Sequence, residues 1–463
     1  MGIDDPSWWG WGDSAHTPVL PDAVLKLLTD GLGVREGPGH PGSMSELELA
    51  PPRLGRQAAS ALAEVVGQEW ALDDHETRIR HVRGKSTIDL LRLRLGDVAS
   101  APDMVLLPSS HEDVLELLRI CSERRVAVVP FGGGTSVVGG LEPDSSGFAG
   151  VVALDLRRMN ALLELDEVSR LAVLEPGLRG PQAEALLAAR DYTIGHFPQS
   201  FEYASLGGFA ATRSSGQASA GYGRFDEVVQ SLRVATPVGT LETGRAPRSA
   251  AGPDLRQLIL GSEGALGVIT SLTVRVRPVP QERVYDGWGL PSFSAGLEGV
   301  RTLAQDGPLP AVLRLSDEAE TALNLARPAE LGQGASGCLA ILGFEGTSES
   351  VELERAAVAA VLASVGGEPE AGAGASWERE RYRAPYLRDA LLDAGALVET
   401  LETVAFWSAL PGLYEAVSAS LRDALGAQGT PAVVLCHVSH VYPAGASLYF
   451  TVASAQADDP VAQ

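Results

Sequence analysis

The chain has 463 residues, enough for two or three domains, and its 45% hydrophobic and 21% charged content is that of a globular protein. Lys+Arg 36 against Asp+Glu 59 leaves a net charge of −23, so nucleic acid has no electrostatic foothold here. No apolar run is long enough to span a bilayer, the acidic, aromatic opening MGIDDPSWWGWGD is unlike a signal peptide, and Cys121, Cys338 and Cys436 are too widely spaced for a zinc site or disulfide framework, which predicts reduced thiols in a cytoplasmic protein.

Residues 1–96 read as an N-terminal helical segment, with helical patches from Leu20 to Leu32 and from Arg56 to Trp70. The cluster Arg78, Arg80, His81, Arg83 and Lys85 reads as a solvated basic face. From Ala101 the pattern changes: MVLLP is a short strand, and SSHEDVLELLRICSERR is a helix opened by a capping box of Ser109 with Glu112. VAVVP is a second strand, followed by strands at VVALDL and LAVLEP and a proline-initiated helix at PQAEALLAAR. The alternating strand SLTVRVRPVP closes this region near Pro280, and residues 281–463 mix helices and strands around a Gly/Ala-rich loop at 366–375.

The strand VAVVP runs directly into FGGGTSVVGG. Three consecutive glycines remove side chains, so backbone N–H groups can approach a ligand closely, as a phosphate cradle requires. Neither Lys26 nor Lys85 lies in a glycine loop, which excludes a Walker A site, and Val137 stands where a dinucleotide fingerprint needs its third glycine. Two further stretches of small and hydroxyl residues follow, PQSFEYASLGGFAATRSSGQASAGYG (198–223) and GPDLRQLILGSEGALGVIT (252–270). Together the three suit a long, polar, uncharged groove for a dinucleotide with an isoalloxazine head. His437 and His440 are three apart on a predicted strand and so should face opposite ways, a poor metal pair. His196 reads equally as a flavin contact or a buried structural histidine.

PFGGGTSV, LGGFAATRSSG, APRSAAGPD and GSEGALGVIT occur in the order and spacing of the FAD-binding flavoproteins of the vanillyl-alcohol oxidase (PCMH) type, which the chain resembles over nearly its whole length. The similarity runs from WWGWGD near the start to GASLYFTV near the end, and YLRD at 386–389 and CHVSHVYPAGASLYF at 436–450 resemble the alkyldihydroxyacetonephosphate synthase branch. The resemblance implies an α+β fold: a two-subdomain PCMH-type FAD-binding domain at 97–280 and an α/β cap (substrate) domain at 281–463, with the N-terminal segment around both. That family continues past GASLYFTV into a His-rich loop, so the C-terminal part is expected to be missing from this chain.

By the same resemblance, Pro130, Phe131, Gly132, Gly133, Gly134, Thr135 and Ser136 bind the FAD pyrophosphate. Gln199, Ser200, Phe201, Glu202, Tyr203, Ala204 and Ser205, with Thr212, Arg213, Ser214 and Ser215, line the flavin. Glu263, Gly264, Ala265, Leu266, Gly267, Val268 and Ile269 complete the site, Ala265 replacing a common Thr. Arg388 is implied to hold the substrate phosphate, a task suited to a planar guanidinium fork. Tyr449 is implied as proton donor and acceptor, and Arg248 as needed for activity. The FAD is expected to be non-covalent, and no metal is expected.

The implied activity is exchange of the acyl group of acyl-dihydroxyacetone phosphate for a long-chain alcohol, a step of ether-lipid synthesis. Its substrate is a small lipid phosphate; peripheral membrane contact and a homodimer stay open. An FAD-linked hydroxy-acid dehydrogenase or oxidase is the alternative, and a non-catalytic flavin-binding protein is a third reading.

Overall fold

The computed structural model describes residues 6–35, 37, 39, 41–323 and 336–463, so the first five residues of the opening motif lie outside it. The chain divides into two compact units, Pro41–Ser214 with Arg224–Val279, and the residues before Pro41 with Ser215–Gly223 and Pro280–Gln463. The N-terminal 96 residues are therefore shared between the units, and apolar stripes decide the division. Val24, Leu28 and Leu32 pack with Leu387 and Val398 in the second unit, whereas Leu62 and Val66 pack with Leu117 and Leu118 in the first. The first of these segments is a short helix, Asp22–Lys26, continued by one π turn, Leu27–Gly31. The second helix, Arg56–Val66, ends at Gly67, whose φ of 92° few other residues adopt, before a 3-10 turn at Gln68–Trp70.

In the first unit, strands Ala71–Leu72, Met104–Leu106, Gly150–Asp155 and Val126–Phe131 form one sheet in that order. The last three pair in parallel, joined through helix His111–Arg124, and the glycine loop leaves the sheet at Phe131 as read from the pattern. The helix cap lies one residue later than the sequence suggests: Ser110 accepts from the Asp113 N–H at 3.0 Å, while the Asp113 carboxylate binds back to Ser109. An antiparallel five-stranded sheet, ordered Leu162–Asp166, Leu171–Leu174, Val268–Arg275, Val229–Thr236 and Gly239–Glu242, makes the second layer.

The basic cluster at 78–85 is not a solvated face. Arg78, His81, Arg83 and Lys85 are all buried, and Arg78, His81 and Arg83 find a carboxylate or a carbonyl outside the cluster. Arg78 donates to the carbonyls of Pro102 and Ala50, His81 meets Asp155 at 2.9 Å, and Arg83 pairs with Asp97 and Glu142.

The second unit is built on a seven-stranded antiparallel sheet ordered Glu368–Pro369, Glu282–Leu290, Cys338–Gly346, Val312–Ser316, Val433–Tyr442, Gly445–Ala455, Ala396–Phe406. Successive side chains alternate between its faces. Leu313, Leu315, Phe344, Val438, Leu448 and Phe450 belong to one apolar core, and helices Phe293–Asp306, Ser348–Ser364 and Leu410–Ala427 pack on the sheet. On the other face Ala396, Val398 and Ala455 pack with Leu387 and the N-terminal Val24 and Leu28, and polar groups gather around Tyr449. Only a portion of the expected loop at 366–375 is irregular, since helix Ala373–Glu380 begins inside it.

Candidate active site

One candidate region is a set of glycine loops within the first unit. A Cβ on Gly133 would land on the Tyr203 carbonyl and on Ala204, and one on Gly132 would strike the Ser205 hydroxyl. Gly134 takes a φ of 67° over the Phe131 ring, and Gly264, at 87°, lies against Pro130. The three loops read from the sequence therefore meet. Ser205 caps helix Leu206–Ala211 by accepting from the Gly208 N–H, and Arg213 ties this loop to the third by donating to the Leu260 and Gln257 carbonyls.

The buried basic segment stands behind the first loop. The Lys85 N–H donates to the Ser136 carbonyl at 2.6 Å, and the His81 ring lies 4.3 Å from that of Phe131. The Ser136 hydroxyl is buried without a protein partner, which suits a donor kept for a ligand oxygen. Glycine loops packed backbone against backbone, with one orphan hydroxyl beside them, fit the pyrophosphate of FAD. Gln199 and Thr212 are exposed, as are Glu263, Ala265 and Leu266, while Val268 and Ile269 are buried strand residues. Ser215 belongs to the second unit, apart from Ser214. Arg248 is exposed in the loop after strand Gly239–Glu242. His196 is a packing residue: its Nε2 meets Ser214 at 3.1 Å and its ring lies against Phe209 and Phe225.

A second candidate region, within the second unit, is the part of the seven-stranded sheet around Tyr449. Tyr449 is paired across the sheet with Glu402 on one side and His437 on the other. His437 and His440 do not face opposite ways as their spacing suggests, because an irregularity between Val438 and His440 resets the alternation. They pair with Tyr449 and Ser447, which share one face. His440 Nδ1 lies 2.7 Å from the Ser219 hydroxyl, and its Nε2 lies 3.6 Å from Glu402. The His437 ring stacks on the Tyr449 ring, with centroids 5.0 Å apart and planes at 23°.

Behind this stack lies a buried network. His437 Nδ1 meets Glu320 Oε2 at 3.0 Å, Arg314 Nη1 meets His437 Nε2 at 2.9 Å, and Arg314 also binds Glu320 directly. Burial opposes ionisation of Glu320, but His437 and Arg314 overcome it and hold the carboxyl down to about 2. Burial, and then the Arg314 charge, hold His437 below its ordinary value. Arg314 Nη2 also lies 3.1 Å from Nδ1, so the guanidinium meets both ring nitrogens, and its charge disfavours a proton on the ring.

Burial pushes the Tyr449 phenol up, while Thr400 and the Arg388 charge pull it down. Arg388 and Tyr449, two sequence-predicted residues, are thus brought within electrostatic reach. Arg388 lies on helix Ala384–Asp393, its side chain 14% exposed and its guanidinium 3.8 Å from Asp389. Arg314, Asp317 and Glu320 escaped the sequence reading. Their one signal is LRLSDEAE (313–320), where an arginine interrupts strand leucines just before three carboxylates. Among the described residues, no group of three or more His, Cys, Asp or Glu is placed to hold a metal.

The glycine loops on a parallel sheet in one unit and the seven-stranded sheet of the other correspond to the two domains of an FAD-linked flavoenzyme. The sequence pattern of the FAD binding domain matches residues 102–244, and that of the FAD linked oxidases, C-terminal domain, matches 279–462, so FAD is the cofactor. The chain is 34% identical over 438 residues to an alkyldihydroxyacetonephosphate synthase of Dictyostelium discoideum, covering 89% of this chain and 71% of that one. It is 31% identical to the Trypanosoma brucei brucei enzyme of the same name, over 99% of this chain and 81% of the relative. A solved alkyldihydroxyacetonephosphate synthase structure superimposes with a TM-score of 0.86 at 31% identity, covering 98% of this chain and 91% of that one. The chain belongs to the alkyldihydroxyacetonephosphate synthase family.

Proposed function

We propose that the protein is an alkylglycerone-phosphate synthase, which exchanges the acyl group of acyl-dihydroxyacetone phosphate for a long-chain alcohol. The observation that carries this reading is the 34% identity to a synthase over 71% of its length, and it is supported by Arg388 and Tyr449, the two residues implied in the chemistry, belonging to one unit. A guanidinium suits the phosphate of the substrate, and a phenol kept protonated by burial suits proton transfer at the carbon beside it.

In this proposal Pro130–Ser136 hold the FAD pyrophosphate, Gln199–Ser205 and Thr212–Ser215 line the flavin, and Glu263–Ile269 close the site, with Arg248 supporting activity from its loop. FAD supplies the electron-sink capacity that makes acyl departure feasible. This chain's residues bind the phosphate, orient the reacting carbon and move the proton at the Tyr449 oxygen. Peripheral membrane contact and a homodimer belong to the same proposal, and vesicle flotation and light scattering read them. Among the described residues, no helix is long and apolar enough to cross a membrane.

The test is to incubate the FAD-loaded protein with acyl-dihydroxyacetone phosphate and a long-chain alcohol, without electron acceptor. Ether product and free fatty acid should appear in equal amounts. Turnover that requires an acceptor and accepts unphosphorylated hydroxy acids would make it a dehydrogenase instead. Tight FAD binding without either turnover would leave a non-catalytic flavoprotein.

A further inference from the structure

We infer that His437 is a positioning residue for Tyr449, held in place by a clamp of Arg314 and the buried Glu320; this rests on the proton-transfer role proposed for Tyr449. Each link is on adjacent elements of one unit. Tyr449 and His437 are direct cross-strand partners, so their backbones already place the two rings side by side. A cross-strand ring pair alone leaves both side chains free to rock about χ1 and χ2. The clamp removes that freedom from one of them. His437 has both ring nitrogens engaged, by Glu320 at 3.0 Å and by Arg314 at 2.9 Å, so its plane is fixed.

The clamp is itself anchored. The Glu320 side chain has no solvent exposure, and its backbone N–H donates to Asp317 at 2.7 Å. Arg314 sits on strand Val312–Ser316, which pairs directly with the strand of His437. A fixed imidazole plane at 23° to the phenol sets the direction in which the Tyr449 hydroxyl points. The clamp also fixes the charge of that plane. The guanidinium meets both ring nitrogens, Nη1 at 2.9 Å from Nε2 and Nη2 at 3.1 Å from Nδ1, and its charge opposes a proton on the ring.

Tyr449 is therefore the proton-transfer group of this stack, and His437 acts through it. The other charged or titratable groups around the phenol are Glu402 and Glu399 on strand Ala396–Phe406, Arg388 on helix Ala384–Asp393 and His440 on strand Val433–Tyr442. The clamp itself is made by three other side chains, those of Arg314, His437 and Glu320, so it can be broken separately.

The experiment is a double-mutant cycle with a second, activity-independent readout. His437→Gln and Arg314→Met are made alone and combined with Tyr449→Phe, with FAD affinity and thermal melting measured for each. In the Tyr449 background, each variant should lower kcat about 10- to 100-fold with KM within about twofold, within the range for misplaced proton-transfer groups. In the Tyr449→Phe background neither should lower kcat further. Separately, the chain is labelled with fluorotyrosine, and the Tyr449 resonance is identified by its loss in Tyr449→Phe. Arg314→Met leaves the His437 ring present, yet should broaden or split that resonance.

Fold-losses that multiply with that of Tyr449→Phe, or a fluorine resonance unchanged in Arg314→Met, would overturn the clamp. Full activity of Tyr449→Phe would instead overturn the proton-transfer role, and the fluorine spectrum would still decide whether the clamp orients the ring.

Discussion

The backbone N–H of Trp11 donates to the carboxylate of Asp389 at 2.5 Å, across 378 residues of chain. WWGWGD and YLRD, two motifs at opposite ends of the sequence, are thus halves of one buried contact. Asp389 is 1% exposed, a Cβ on Gly10 would strike its carboxylate, and His16 meets the Tyr386 ring edge-on at 5.7 Å. Asp389→Ala strands a buried donor, and we expect it to destabilise the second unit by about 1–3 kcal/mol. Asp389→Asn keeps an acceptor and should cost less. Urea unfolding followed by tryptophan fluorescence checks both, and an unchanged midpoint in the alanine variant would detach the N-terminal motif from the fold's stability.

Gly133→Val should abolish FAD binding, and the structure changes the reason. The positive φ belongs to Gly134, whereas a side chain on Gly133 collides with the Tyr203 carbonyl of the second loop. Even Gly133→Ala must therefore separate the first and second loops, which together form the cradle. We expect FAD affinity to fall at least tenfold in the alanine variant, measured by quenching of flavin fluorescence. Affinity equal to the parent's would mean that the loops need not touch to hold the cofactor.

How much of this was legible follows from what each residue answers to. The glycine loops and the strand around Tyr449 were legible because backbone conformation and alternation are local properties. The buried basic cluster was not, since Arg83 and His81 find Asp97 and Asp155 at separations of 14 and 74 residues. Without those partners, a run of cations reads as solvated. The shared face of His437 and His440 was hidden by one strand irregularity, which reverses alternation without any sequence mark. Glu320 and His437 stand 117 residues apart, beyond any spacing rule.

The FAD should be held without a covalent bond. We expect yellow protein whose flavin passes into the supernatant after acid precipitation. Colour remaining in the pellet would show a covalent link that the loop residues do not announce.

Asp317 makes the second unit's stability depend on pH. Burial pushes its carboxyl up to about 6, with the Glu320 charge adding and hydrogen bonds from Glu320 and Tyr414 opposing. An unfolded aspartate titrates near about 3.9. The folded state thus holds this proton more tightly, and the resulting stability is full below about pH 4 and lost as pH rises through about 6. The loss should be about 1–3 kcal/mol. Asp317→Asn stays neutral and keeps an acceptor for the Glu320 N–H, so it should exceed the parent's stability at pH 7.5 and match it near pH 4. Urea midpoints at the two pH values decide, and a constant difference between the proteins would rule Asp317 out as the source.

The two roles proposed for Arg388, geometry on the phosphate and charge on Tyr449, are separable. Arg388→Lys keeps the charge but loses the planar fork, so it should weaken phosphorylated substrates by about 1.5–3 kcal/mol. FAD affinity should be unaffected. Arg388→Met also removes the charge that pulls the phenol down against burial. The Tyr449 pKa should then rise further, moving the alkaline limb of the pH–rate profile upward in Arg388→Met and leaving it in place in Arg388→Lys. Tyr449→Phe should keep substrate binding while turnover falls by about two to four orders of magnitude. If both Arg388 variants show the parent's KM for the phosphorylated substrate, the phosphate is held elsewhere. If the alkaline limb does not move in Arg388→Met, the group that titrates there is not Tyr449.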